Sequence, residues 1–194
     1  NYAEQKHRYW PKISEDGVNW RRLLPSAFAV SEDEKFVTFI LSITGQPIWI
    51  SAQENRTNEW YSAWSNSINE RFPDVKQYVI GQSIAARPIT VIETNPGQND
   101  VLLLIGRQHP AEVTGAIALQ HFSEFLLKGH PSSCHDESAV CSFYRRTNIV
   151  IVPNLNPDGV ELGHWRYSLS GKDLNRDWEA FEQPETTAVR DLVD

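Results

Sequence analysis

The chain has 194 residues, 40% of them hydrophobic and 11% aromatic, which is enough apolar material to bury a core. Its 18 basic and 25 acidic side chains give a formal charge of −7, which argues against general affinity for nucleic acid or anionic membrane. The longest apolar run, Val101-Leu-Leu-Leu-Ile105, falls far short of the ~20 residues that a membrane helix needs.

Residues 1–53 read as β-structure. Phe36 to Thr44 is rich in β-branched and aromatic residues and ends at Gly45, Gln46 to Ser51 looks like another strand, and Ser14-Glu-Asp-Gly17 is a turn signal. This stretch is short for an independent sandwich and reads as part of a β-sandwich domain. The chain contains no Met and opens on Asn1-Tyr2-Ala3 without a leader pattern, so the expectation is that the gene product starts upstream.

From about Arg56 the pattern changes. Trp60, Ala63, Trp64, Ile68 and Phe72 recur at helical spacing, and Pro73 stops that helix. Strands are expected at 77–81, 87–94 and 101–106. Residues 111–128 fit a helix with Val113, Ile117, Ala118, Phe122, Phe125 and Leu126 on its apolar side, closed by Gly129. Residues 130–142 read as a loop carrying Cys134 and Cys141. Two free thiols are the expectation there, with a disulfide as the alternative; without a CxxC pair, zinc on these cysteines is disfavoured. Residues 148–153 form a buried strand, and Pro184 to Val193 opens a helix. This alternation argues for an α/β sheet covered by helices.

The apolar strand at 101–105 runs straight into Gly106-Arg-Gln-His109-Pro-Ala-Glu112. Ligands of α/β folds sit beyond the carboxyl ends of strands. A His and a Glu three residues apart can converge on one metal ion, and imidazole and carboxylate are ligand types that Zn²⁺ takes in hydrolytic sites. Alone the pair is weak evidence, since a surface His before a helix-start Glu is the plain alternative. Residues 153–178 add Arg166, Asn175 and Arg176 on turn-rich backbone. A guanidinium fork matches a carboxylate, so these side chains suit an anionic group; the plain alternative pairs the arginines with Asp173 or Asp177 in solvent.

Together these stretches resemble the zinc metallocarboxypeptidases, in particular the cytosolic carboxypeptidase branch and its bacterial relatives. The resemblance is carried by Ile80 to Ile89, Gly106 to Glu112, Leu155 to Val160, Gly163 to Arg166 and Gly171 to Trp178, in that order, and covers about residues 57–194. It implies an α/β carboxypeptidase-like fold, truncated here, with a mixed central sheet flanked by helices and preceded by a small β-rich, sandwich-like segment. The implied domains are 1–53 and 57–194.

The resemblance also implies roles: His109 and Glu112 as zinc ligands, Arg166 as the group that polarises the scissile carbonyl, and Asn175 and Arg176 as the anchor for the substrate's terminal carboxylate. The implied cofactor is Zn²⁺, the implied substrate a peptide or protein C-terminus, with acidic residues as the preferred class, and the implied location cytoplasmic. A third His ligand and a general-base Glu are expected beyond Asp194; neither Glu182 nor Glu185 sits in a matching motif. His7, His121, His130 and His135 are read as without catalytic roles, His164 as a surface or pocket-lining residue, and Trp10, Trp20, Trp60, Trp64 and Trp165 as packing groups. Two other functions remain open: an inactive module that binds peptide C-termini, and a zinc amidohydrolase of acylated amino acids or cell-wall peptides.

Overall fold

The computed structural model describes residues 10–194; His7 and the rest of 1–9 lie outside the described residues. Contacts divide the chain into two units, Asn1–Asn55 and Arg56–Asp194.

Within the first unit, β1 (Lys12–Ser14) pairs antiparallel with β2 (Arg21–Arg22) on one side and β5 (Trp49–Ser51) on the other. A separate antiparallel pair joins β3 (Phe28–Val30) to β4 (Val37–Phe39). The turn after β1 is built on Asp16. Its carboxylate accepts from the Asn19 amide N–H, the Asn19 side chain and the Val18 amide N–H, which holds it well below the usual carboxylate range. The strand expected over Phe36 to Thr44 shrinks to Val37–Phe39. Ile40 and Ile43 stand 83% and 82% exposed, because among the described residues no neighbouring strand lies alongside them to complete a ladder.

In the second unit, α1 (Asn58–Arg71) starts where the Thr57 hydroxyl accepts from the Trp60 amide N–H, and it buries Tyr61, Trp64, Ser65 and Ile68. Ala63 faces solvent rather than the core. Next come β6 (Lys76–Gln82), β7 (Pro88–Glu93) and β8 (Asp100–Ile105), then α2 (Val113–Leu127), α3 (Ala139–Arg146), β9 (Thr147–Val152), α4 (Pro157–Leu162) and α5 (Pro184–Val193). The sheet order is β6-β7-β9-β8. The first two pairings are antiparallel, and β8 with β9 is parallel, so the sheet is mixed. A parallel neighbour requires a crossover, here made by α2 and α3.

Strand β9 is buried along its whole length, and its alternating side chains seed a core on each face. Ile149 and Ile151 pack with Trp64, Ile68, Phe72, Leu127 and Tyr144. Val150 and Val152 pack with Ile89, Leu155, Leu174 and Val189. At roughly 1.5–3 kcal/mol per fully buried large aliphatic side chain, these two clusters dominate the stability of the unit.

Three expectations change. Residues 139–142 belong to α3 rather than to a loop, and this helix swings Cys141 onto Cys134. The two form a disulfide across a Cα separation of 5.8 Å, so neither cysteine is a free thiol. Helix α2 buries Val113, Ala116, Ser123, Leu126 and Leu127 and leaves Ala118, Phe122 and Phe125 outside. Finally, Asn156-Pro157-Asp158-Gly159, inside the stretch read as turn-rich, opens the helix α4. Asn156 accepts from the Gly159 amide N–H and Pro157 takes the first helical position.

Candidate active site

The carboxyl end of β8 stops at Gly106, and the chain must turn there between α2 and the end of β9. A Cβ on Gly106 would meet Leu119 Cδ2 at 2.6 Å and the Pro153 carbonyl at 2.7 Å, so only glycine fits. The Gly106 amide N–H donates to the Val152 carbonyl, and the Leu155 amide N–H donates to the Gly106 carbonyl. The turn is therefore welded to β9. Arg107 follows in the left-handed region, at φ 56°, with its side chain folded inward. Its guanidinium donates to the carbonyls of Pro110 and Arg56 and to the Tyr61 hydroxyl, which clamps the loop that presents His109.

His109 is 8% exposed. Its Nδ1 faces Glu112 Oε1 at 2.9 Å, and its Nε2 faces Asp173 Oδ1 at 2.9 Å. The other Asp173 oxygen accepts from Arg166 Nε at 2.8 Å, and Oδ1 also accepts from the Asn175 amide N–H at 2.9 Å. Desolvation pushes the Asp173 pKa up, but the hydrogen bonds from His109, Arg166 and Asn175 and the charge of Arg166 outweigh it and hold the group at about 2. Asp173 is thus a carboxylate that only accepts, so the hydrogen bond between them is donated by His109 Nε2.

Among the residues expected from the sequence, His109, Glu112, Arg166 and Asn175 meet at or beside Asp173. Arg176 does not join them: its side chain donates to the Asn175 carbonyl and stands in solvent. His164 Nδ1 donates to the Tyr167 carbonyl, on the turn that holds Arg166. His130 is buried between Phe72 and Tyr144 and bonded to Asp74 and Ser132, a packing position. Two residues were missed. Asp173 was read only as an ion-pair partner of the arginines; its position directly before Leu174-Asn175-Arg176 is the available signal. Arg107 carries none beyond its place between Gly106 and His109.

Further contacts knit the site together. Trp178 Nε1 donates to Gln108 Oε1, and Asn156 Nδ2 donates to the Gln108 carbonyl, which tie the 173–178 segment and the start of α4 to the His109 loop. The motif at 80–89 serves α4 too. Buried Asp158 accepts from Ser83 Oγ, the Ala85 amide N–H and Arg87 Nη1, at 2.8, 2.9 and 2.8 Å.

A zinc ion would find a nitrogen donor and an oxygen donor already side by side, with a carboxylate behind the imidazole in the arrangement that orients metal-bound His. The donor set fits in type. Among the described residues no third ligand-type side chain completes a group around His109 and Glu112; the one such group of three, Cys134, Asp136 and Cys141, has its sulfurs tied in the disulfide.

Comparisons with known proteins place the chain among carboxypeptidases. The human protein named "Cytosolic carboxypeptidase 6" is 36% identical over 126 residues, which is 59% of this chain and 23% of that protein. Its Caenorhabditis elegans namesake is 26% identical over 97% of this chain and 39% of its own length. A putative carboxypeptidase from Burkholderia mallei superposes with a TM-score of 0.76 at 26% identity, over 95% of this chain and 47% of its own. A metallo-carboxypeptidase from Burkholderia cenocepacia gives 0.75 at 26% identity, over 95% and 49%. The chain thus spans less than half the length of each of these relatives. The zinc carboxypeptidase family model matches residues 61–193, a range that contains the β8 turn, His109, Glu112 and the Asp173 network. This chain belongs to the zinc carboxypeptidase family.

Proposed function

We propose that the protein is a zinc-dependent metallocarboxypeptidase that removes the C-terminal residue of peptides or proteins, with His109 and Glu112 as two of its metal ligands. The observation that carries this reading is the His109–Glu112 pair. Asp173 accepts from Nε2, and Nδ1 stands 2.9 Å from a Glu112 oxygen, so an imidazole nitrogen and a carboxylate oxygen lie side by side. Two acceptors at that distance repel unless a proton or a cation lies between them. A divalent cation satisfies both.

Zinc, when bound, supplies a polarised carbonyl and a water made acidic enough to act as nucleophile. The remaining work falls to side chains of this chain. Arg166 is held by its Nε on Asp173, and its guanidinium is assigned to negative charge developing on the scissile carbonyl oxygen. Asn175 and Arg176, both exposed on the adjacent turn, take the substrate's terminal carboxylate and so set exopeptidase register. Because a catalytic zinc takes three protein ligands, the third, together with the general base, is assigned to sequence beyond these 194 residues. The cytoplasmic location and the preference for acidic residues belong to this reading as well, supported by the names of the curated relatives and by the resemblance respectively.

The test uses the full-length protein. Metal analysis should give about one zinc per catalytic domain, and peptides ending in Glu, Lys or Phe should lose that residue, whereas C-terminally amidated peptides should not. His109→Ala should abolish both metal and cleavage. A protein without zinc whose behaviour His109→Ala leaves unchanged would sink the reading. If it instead binds free C-termini through Arg176 without cutting them, the function is recognition.

A further inference from the structure

The segment between α2 and α3 carries a second cluster of ligand-type side chains, outside the network around Asp173. The sulfurs of Cys134 and Cys141 and a carboxylate oxygen of Asp136 lie within 4.8 Å of one another, the one such group of three among the described residues. The cysteines stand seven residues apart without a CxxC, a spacing that by itself disfavours a metal. Helix α3 changes the picture, because it folds Cys141 back onto Cys134 and Asp136.

Each of the three is held by contacts other than the S–S bond. Cys141 is 3% exposed on α3, whose Tyr144 packs in the core. The Cys134 amide N–H donates to the carbonyl of His130 at 2.9 Å, and the His130 ring is itself fixed by Asp74 and Ser132. Asp136 Oδ1 accepts from the Ser138 amide N–H at 3.0 Å and lies 3.3 Å from Cys141 Sγ. The Ser138 hydroxyl donates to the same sulfur at 3.0 Å. Opening the S–S bond therefore leaves three ligands facing one point. Asp136 is exposed and Cys134 half-buried, which gives an ion a way in from solvent.

The backbone spacing suits a metal as well as a bridge. A tetrahedral cation with metal–sulfur bonds of about 2.3 Å holds two sulfurs roughly 3.8 Å apart, and rotation about the Cα–Cβ bonds reaches that from Cα atoms 5.8 Å apart. Two thiolates with one carboxylate make a donor set for Zn²⁺ and other thiophilic cations. Ca²⁺ and Mg²⁺, which take oxygen ligands, are poorly served by it.

We propose that, once the Cys134–Cys141 bridge is reduced, Cys134, Cys141 and Asp136 bind a thiophilic divalent cation such as Zn²⁺. A dithiol reductant supplies the two electrons and two protons that turn the bridge into two thiols, and is itself closed to a disulfide. The cation then displaces both thiol protons, and water takes its fourth position. The ion closes the same loop that the bridge closes, so the start of α3 is braced in oxidising and in reducing surroundings alike. The site does not depend on the zinc reading of His109 and Glu112.

The experiment is titration of the full-length protein, reduced by a water-soluble phosphine, with Cd²⁺ and with Co²⁺, each followed by the ultraviolet charge-transfer absorption that a metal–thiolate bond gives. Difference spectra against a Cys134→Ser, Cys141→Ser double variant isolate this pair from any other sulfur. The expected result is a difference band that saturates at one cation per chain, is absent from the oxidised protein and persists in a His109→Ala protein. Added Zn²⁺ should bleach the Co²⁺ band by displacement. Asp136→Asn should keep the band and weaken the affinity at least about tenfold, since losing even a partner behind a metal ligand costs that much. Cys141 is buried and the double variant can fail for structural reasons, so the exposed Asp136→Asn substitution and the oxidised protein serve as independent checks. No difference band in the reduced protein, an equal band in the oxidised protein, or wild-type affinity in the Asp136→Asn protein would each overturn the proposal.

Discussion

Asp173 takes hydrogen bonds from His109, Arg166 and the Asn175 backbone on its two oxygens, and this crowding explains why so small a change there should have a large effect. Asp173→Asn leaves one acceptor oxygen and puts an NH₂ against either the imidazole or the guanidinium. In the full-length protein we expect zinc affinity to fall roughly 10–100-fold, as for other carboxylates behind a metal-bound His, measured by competition with a chelator. Unchanged affinity would remove Asp173 from the metal's support. Glu185 makes a contrasting case. It is fully buried and its carboxyl oxygens have no hydrogen-bond partner among the described residues. Burial raises its pKa, with the nearby Asp158 and Asp177 carboxylates adding to the shift. A raised pKa means the neutral form is the one the fold tolerates. Its share of stability is complete below the unfolded value near 4.5 and is lost as pH rises through the folded value. Glu185→Gln should therefore change little at pH 4 and raise Tm at pH 8, by about 2–4 °C for each kcal/mol recovered. Equal shifts at both pH values would refute this account.

At the scale of elements, the buried Asp158 carboxylate joins the 83–87 turn to the start of α4, so two sequence motifs 71 to 75 residues apart are one structural joint. Asp158→Ala strips the acceptor from Ser83 Oγ, the Ala85 N–H and Arg87 together. A loss of about 3–5 kcal/mol is expected, read as a lower urea midpoint with an unchanged slope. A cost below 1 kcal/mol would show that the joint relaxes freely. Elements with one strong periodicity were legible from sequence: α1, β8, β9 and α5 lie within a few residues of expectation. The face of α2 was not, because that helix is apolar nearly all round and its pattern selects no side. Helix α3 was hidden by its shortness and by the Ser- and His-rich approach to it, with Ser138 at its start making no side-chain cap. The residues of the site were legible as motifs, whereas their convergence on Asp173 was not, since it arises from a tertiary contact across 64 residues of sequence.

For the whole molecule, the Cys134–Cys141 bridge bears on where the protein lives. Disulfides persist in oxidising compartments and are rare in a reducing cytosol, so the bond pulls against the cytoplasmic location implied by the named relatives. Intact mass before and after alkylation decides whether purified protein carries the bond. Where it does, reduction should lower stability by roughly 2–3 kcal/mol, the usual effect of closing so short a loop. Fully alkylated thiols in freshly lysed cells would favour the cytosol. No helix among the described residues is long and apolar enough to cross a membrane.

Strand β8 delivers the chain to His109, and it also has a consequence for handling the protein. Among the described residues it forms its ladder with β9 alone, so its far side presents a row of bare amides and carbonyls, beside a Val101 that is 58% exposed. Such an edge is a template for another copy of itself. Expressed by itself, this stretch should self-associate as its concentration rises, and Val101→Lys should shift its elution toward the monomer. The same strand that carries the chemistry would then govern solubility, and a monomeric wild-type profile at high concentration would show that the edge is covered.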